Sequence, residues 1–128
     1  MNIDRIDHVV LTVTDIQQTC DFYESVLGFK VVKFKEGRTA LHFGNQKLNL
    51  HQQGNEFEPK AAAPAPGAAD LCFITATPIE TVRRELDAKG VSIEVGPVVQ
   101  SGAVGRLLSV YLRDPDRNLI EIATYVAE

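Results

Sequence analysis

The predicted elements come in the same order in each half of the chain: strand, helix, then three strands. The stretch RIDHVVLTV at residues 5–13 places Val9, Leu11 and Val13 on one side of a half-buried strand. An amphipathic segment with Thr14 or Asp15 as its N-cap follows at 14–28, and then three short runs separated by turn signals at 36–37 and 44–45. These patterns predict a βαβββ module over about residues 3–52.

The pattern restarts after a linker. Residues 53–69 contain three prolines and show neither helical nor strand periodicity. The run DLCFITA then predicts a strand, and TPIETVRRELDAKG predicts a helix with Thr77 as N-cap and Pro78 at its first position. Three more strands extend to about residue 126, with a turn over 114–117. We expect an α+β fold with two βαβββ modules in one domain over 1–128, forming a curved mixed sheet around a cup with helices on the outer face.

Composition excludes several classes of function. The chain has 128 residues, a net charge of -4 and scattered basic side chains, so we expect no nucleic-acid partner. It contains no apolar run near the length of a membrane span and begins with charged and polar residues, so we expect a soluble, cytoplasmic protein without a membrane partner. Cys20 and Cys72 are isolated, which predicts reduced thiols, one on a helix and one in a strand.

Superposing the halves places unusual polar residues at matching positions. A shift of 62 residues puts Asp70 on His8, and a shift of 70 puts Glu121 on His51. These side chains belong to the sheet face that the helices do not cover, where polarity alone needs no function. The four positions nevertheless hold two imidazoles and two carboxylates, and they converge if the two half-sheets pair edge to edge. Such a set suits a divalent Fe, Mn, Ni or Zn ion.

The sequence resembles the vicinal oxygen chelate superfamily, which includes glyoxalase I, extradiol dioxygenases and fosfomycin- and bleomycin-resistance proteins. The resemblance rests on DHVVLTVTDIQQTCDFYESVLGF and YLRDPDRNLIEI, with paired modules between Ile3 and Tyr125. Within the superfamily, residues 37–75 look like the glyoxalase domain-containing protein 5 group.

The resemblance implies metal ligands residue by residue. His8 matches the histidine of the first strand, and Glu121 matches the glutamate of the last strand. His51 stands where glyoxalase I has a glutamate, and Asp70 stands where a histidine is usual. The resemblance also implies a small-molecule substrate and a homodimer, because superfamily sites are often built from modules of two chains.

Three functions follow from this site. A glyoxalase-like lyase or isomerase binds two neighbouring substrate oxygens at the metal and uses Glu121 as the base. An Fe(II) extradiol-type dioxygenase uses His8, His51 and Glu121 as ligands, with Tyr111 touching the substrate. A resistance-type protein binds a small molecule without a reaction. Residues that could bind an anionic substrate, or else be solvated, are Arg38, Asn49, Lys60 and Arg106.

Overall fold

The computed structural model describes residues 1–128 and contains the predicted elements in the predicted order. The first module consists of β1 (His8–Val13), α1 (Ile16–Leu27), β2 (Lys30–Phe34), β3 (Arg38–Phe43) and β4 (Gln46–Gln52). The second consists of β5 (Asp70–Ile74), α2 (Ile79–Ala88), β6 (Val95–Ser101), β7 (Arg106–Arg113) and β8 (Leu119–Tyr125). The prediction of an α+β fold with two βαβββ modules is therefore confirmed.

Two compact units divide the chain at the end of the proline-containing segment. The first unit is Met1–Ala68 and the second is Ala69–Glu128. Most of the predicted linker, residues 53–68, belongs to the first unit. That the two units form one domain stays a prediction.

The first unit is a four-stranded mixed sheet with one helix. Its strand order is β1-β4-β3-β2, with β1 parallel to β4 and the other pairs antiparallel. Helix α1 begins after Asp15, whose carboxylate accepts a hydrogen bond from the Gln18 amide, and ends at Gly28 in the left-handed conformation. The buried Cys20 and Tyr23 of this helix face an apolar core on one face of the sheet. The other face of the sheet has no helix over it.

The second unit repeats this arrangement. The strand order is β5-β8-β7-β6, with β5 parallel to β8. Helix α2 differs from the prediction at its start, because Pro78 takes the N-cap position without a side-chain hydrogen bond. The Pro78 carbonyl accepts hydrogen bonds from the Thr81 and Val82 amides, whereas the Thr77 amide donates to Thr75 Oγ1. Thr77 therefore belongs to the preceding turn and not to the helix cap.

A buried polar turn joins β7 to β8, as the sequence predicts. Asp114 Oδ1 accepts hydrogen bonds from the Asp116 and Asn118 amides, and Asp114 Oδ2 accepts one from Asn118 Nδ2 at 2.8 Å. Asn118 Oδ1 in turn accepts from the Ala69 amide at 2.9 Å. This turn therefore fixes the start of β5 against the start of β8.

The cysteines are both free, with Cys20 buried on α1 and Cys72 exposed on β5, as predicted. Neither helix is long and apolar enough to span a membrane.

Candidate functional site

The residues that correspond between the two modules in the strand register differ from those matched by shifting the sequence. Val10 pairs with Asn49 in the first unit, and Cys72 pairs with Glu121 in the second. Val10 and Cys72 each lie two residues after the first residue of their strands, so Asn49 is the counterpart of Glu121. The proposed match between His51 and Glu121 was therefore two residues out of register. The shift from Val10 to Cys72 is 62 residues and the shift from Asn49 to Glu121 is 72, so the second module has ten extra residues before its last strand, whereas the sequence shifts of 62 and 70 imply eight.

Asn49 and Glu121, the two corresponding residues, each carry a buried polar atom without a hydrogen-bond partner. Three buried side-chain atoms have no hydrogen-bond partner: Asn49 Oδ1, Ser109 Oγ and Glu121 Oε2. Burial of an unpaired polar atom costs about 1–3 kcal/mol, and native proteins contain few such atoms. Asn49 and Glu121 both project from the sheet face that no helix covers. That position is therefore a candidate binding position in each unit.

The Glu121 carboxylate is the centre of the polar face in the second unit. Tyr111 on β7 and Cys72 on β5 are its direct neighbours in the sheet. Burial, and then a hydrogen bond and the charge of Glu121, raise the pKa of the Tyr111 hydroxyl. Burial and the charge of Glu121 raise the pKa of the Cys72 thiol to about 11. Both groups therefore stay protonated near neutral pH and can donate a hydrogen bond toward the carboxylate or a bound ligand.

Asp70 lies close to this group. It begins β5 opposite Leu119 and is exposed. Since Asp70 and Glu121 are two positions apart on adjacent strands and share a face, their Cα atoms are about 8 Å apart. Arg113 on the same face is held by two hydrogen bonds to Glu94, at 3.2 and 3.0 Å, which lower the pKa of the Glu94 carboxyl. Two carboxylates and a fixed cation thus lie along one side of the second sheet.

The two histidines predicted as ligands lie at opposite ends of the first sheet. His8 begins β1 opposite Lys47, whereas His51 pairs with Thr12 near the end of β1. Four residues along a strand separate the two positions by about 13 Å, and parallel side chains at that distance do not share one ion. Although His8 and His51 share a face, the structure does not bring them together.

His8 has a partner that suits a metal ligand. Its Nδ1 lies 2.8 Å from Asp7 Oδ2, and this hydrogen bond lowers the pKa of the Asp7 carboxyl. Histidines that bind a metal through one ring nitrogen commonly bond a carboxylate through the other. The His8 side chain is about half exposed, at 44 %.

His51 belongs instead to a small cleft in the first unit. The residue is 7 % exposed, and the Phe57 ring stands edge-on to the imidazole with the centroids 5.5 Å apart. Burial and the charge of Arg38 lower the pKa of His51. Arg38 and Asn49, two of the predicted substrate-binding residues, line the same cleft.

The two other predicted substrate-binding residues lie elsewhere or are already paired. Lys60 Nζ lies 3.7 Å from Glu56 and 3.3 Å from Glu58. Arg106 begins β7, five residues before Tyr111, at the far end of that strand. Phe57 was not predicted as a site residue, and its only signal was an aromatic residue flanked by two glutamates inside a polar linker.

The donor atoms for a metal are incompletely assembled. No three side chains among His, Cys, Asp and Glu lie close enough together to hold an ion. Glu121 by itself suits a metal ion, because its unpaired Oε2 is a carboxylate oxygen of the kind that divalent cations bind.

Comparisons with known proteins agree with this fold. The chain is 63 % identical over 126 residues to the virulence protein STM3117 of Salmonella typhimurium, covering 98 % of this chain and 88 % of that protein. The crystal structure of that protein superposes with a TM-score of 0.97 over 98 % of this chain and 100 % of the other. The glyoxalase domain-containing protein RDO1 of Mycosarcoma maydis is 50 % identical over 125 residues, covering 98 % of this chain and 70 % of the other.

More distant likeness extends to a named enzyme. The crystal structure of lactoylglutathione lyase from Agrobacterium tumefaciens superposes with a TM-score of 0.74 at 23 % identity, covering 96 % of this chain and 95 % of the other, which is a likeness of fold. The family model for the glyoxalase/bleomycin resistance protein/dioxygenase superfamily matches residues 5–122. The chain belongs to the glyoxalase/bleomycin resistance protein/dioxygenase superfamily.

Proposed function

We propose that this protein is a metal-dependent enzyme of the glyoxalase type, which binds a small substrate through two neighbouring oxygen atoms and moves a proton. The observation that carries the proposal is the buried, unpaired Oε2 of Glu121 on the uncovered face of the second sheet. A buried carboxylate oxygen without a hydrogen-bond partner lowers the stability of the fold, and destabilising groups of this kind occur preferentially at functional positions.

The resemblance, and not an assembled group of three donors, supplies the proposed ligands, which are the carboxylates of Glu121 and Asp70 and the imidazole of His8. Carboxylates supply hard oxygen ligands, and the hydrogen bond that His8 Nδ1–H donates to the Asp7 carboxylate orients the ring for binding through Nε2. A bound divalent cation would supply Lewis acidity toward substrate oxygens. His51 is left out of this set because of its distance from His8 along the sheet, which also weakens the dioxygenase alternative, since that function needs two histidines on one ion.

Glu121 and Tyr111 are proposed to act on the substrate itself. The Glu121 carboxylate can take a proton from a carbon next to a carbonyl group and return it to the neighbouring carbon. The raised pKa of Tyr111 keeps its hydroxyl protonated, so that it can donate a hydrogen bond to a substrate oxygen as negative charge develops there.

Metal content tests the ligand assignment. The full chain is purified without chelators and its metal is measured by mass spectrometry, alongside His8→Ala, Asp70→Ala and Glu121→Ala. His42→Ala is the matched control, because His42 is an exposed histidine on a strand of the same unit. We expect stoichiometric metal in the parent and the control, and loss of metal in each of the other variants. Equal trace metal in all five proteins would overturn the proposal.

Activity separates the proposed reaction from its alternatives. The metal-loaded chain is assayed with the hemithioacetal of a 2-oxoaldehyde and a thiol, and separately with a catechol and dioxygen. We expect turnover of the first substrate and its loss in Glu121→Gln. Ring cleavage of the catechol would assign the dioxygenase function instead, and tight binding of a small molecule without turnover would assign a binding protein.

The proposal includes assembly as a homodimer and a cytoplasmic location. Sedimentation velocity tests the first, with a monomer at all concentrations as the contrary result. Fractionation of the source cells tests the second.

A further inference from the structure

A cavity at one end of the second sheet is not used by the proposed reaction. Its volume is about 440 Å³, which lies within the range of small-molecule sites in proteins, about 300–1,000 Å³. It lies beside the hairpin that joins β6 to β7, and its lining includes Val99, Ser101, Arg106 and Glu128. None of these residues is proposed as a metal ligand or a base, so the cavity needs its own explanation.

The strand residues that line the cavity lie on the face of the sheet opposite Glu121. Glu121 pairs with Tyr111, and Arg106 lies five residues before Tyr111 on β7. Because side chains alternate between the two faces of a strand, this odd number puts Arg106 on the face opposite Tyr111. Ser101 pairs with Arg106, and Val99 lies two residues before Ser101, so both share the Arg106 face. A ligand in the cavity is therefore separated by the sheet from the proposed reaction.

Hydrogen bonds hold the hairpin beside the cavity in place. The Gly102 amide donates to the Gly105 carbonyl at 2.7 Å, and the Val104 amide donates to Tyr125 Oη at 3.3 Å. A Cβ atom on Gly102 would lie 2.9 Å from both Leu107 Cγ and Tyr125 Oη, so the hairpin packs closely on the end of the sheet. This wall of the cavity is therefore formed before a ligand binds.

Two opposite charges line the cavity without neutralising each other. The Val126 amide donates to the Arg106 carbonyl at 2.9 Å, which places the chain after β8 alongside the start of β7 and brings Glu128 to the cavity. Neither Arg106 nor Glu128 takes part in any ion pair of the structure. Both charges are therefore available to a ligand.

We propose that this cavity binds a small α-amino acid, with Arg106 binding its carboxylate and Glu128 binding its ammonium group. A ligand with a single charge meets one attractive and one repulsive side chain in the cavity, whereas a zwitterion satisfies both. The planar guanidinium binds a carboxylate through two parallel hydrogen bonds, and the Ser101 hydroxyl directly across from Arg106 can donate another. Val99, with 56 % exposure, offers apolar contact to the ligand side chain. The inference depends neither on the proposed reaction nor on a metal.

Binding of matched probes to the full chain tests the proposal. L-Valine carries both charges and a short apolar side chain, whereas isovalerate lacks the ammonium group and isobutylamine lacks the carboxylate. Titrations are followed by amide chemical-shift changes on protein treated with chelator, so that a metal bound at Glu121 does not contribute. We expect shifts over 99–106 and 126–128. Valine should bind at least about fivefold more tightly than either analogue, since a charge-assisted contact at an exposed site is worth about that factor.

Variants assign each contact. Arg106→Gln should remove the preference for valine over isobutylamine, and Glu128→Gln should remove the preference for valine over isovalerate. Arg84→Gln, at an exposed arginine on α2 of the same unit, should change neither preference. Thermal melts establish that each variant is folded. Absence of valine binding, equal binding of either analogue, shifts centred on Glu121, or unchanged preferences in the Arg106 and Glu128 variants would each overturn the proposal.

Discussion

The contacts of the buried Asp114–Asn118 turn predict how much the substitution Asn118→Ala lowers the free energy of unfolding. In Asn118→Ala, Asp114 loses its hydrogen bond from Asn118 Nδ2, and the Ala69 amide loses the acceptor Oδ1. Asn118 is 2 % exposed and Asp114 is 5 % exposed, so water replaces these partners poorly. Loss of one charged and one neutral hydrogen bond gives a cost of about 3 kcal/mol. For a chain of 128 residues, this lowers the melting temperature by about 10 °C.

Urea and thermal unfolding of the full chain, followed by circular dichroism, measure this loss. Asn45→Ala is the control, because Asn45 is an exposed asparagine in the turn between β3 and β4. Its effect should stay within about 0.5 kcal/mol. A loss below about 1 kcal/mol in Asn118→Ala would refute the reasoning, since it would mean that solvent satisfies the groups that the substitution leaves behind.

Three further predictions follow. In Glu121→Gln, removal of the negative charge should lower the Cys72 pKa from about 11, and alkylation of Cys72 at pH 8.5 should accelerate about tenfold for each unit of that decrease; an unchanged rate would contradict the assigned cause. Burial and the charge of Arg38 lower the pKa of His51, so the folded state favours the neutral imidazole. The contribution of His51 to stability is therefore complete above its unfolded pKa of about 6.5, and it decreases as the pH falls from there through its folded pKa. An NMR titration of the ring checks this, and a midpoint above 6.5 would contradict it. Leu41→Ala, at a side chain with 0 % exposure, should cost about 2–5 kcal/mol in urea unfolding, and a loss under 1 kcal/mol would mean that the core there is loosely packed.

Strand parity is what the sequence predicted well. Alternation placed Leu11 and Val13 in the core and left the side chains of the opposite face for other uses. The turn at 114–117 and the end of α1 at Gly28 were also predicted, because each depends on a residue with a local conformational preference.

The pairing of residues between strands was predicted less well. Glu121 was matched to His51, but its counterpart in the register is Asn49. Two residues along a strand preserve the face on which a side chain lies, so the alternation of the sequence cannot detect that error. Phe57 was missed because it lies in a segment without periodicity, and only the folded chain places it against Arg38 and His51.

The sequence by itself determined the two modules and the polar face of each sheet, because periodicity and turn chemistry act over a few neighbouring residues. The tertiary structure alone decided which polar residues meet. It put Tyr111, Cys72 and Glu121 side by side and set His8 apart from His51. The physical reason is that hydrogen-bond register joins positions far apart in the chain, and burial then decides which of their polar atoms remain unpaired.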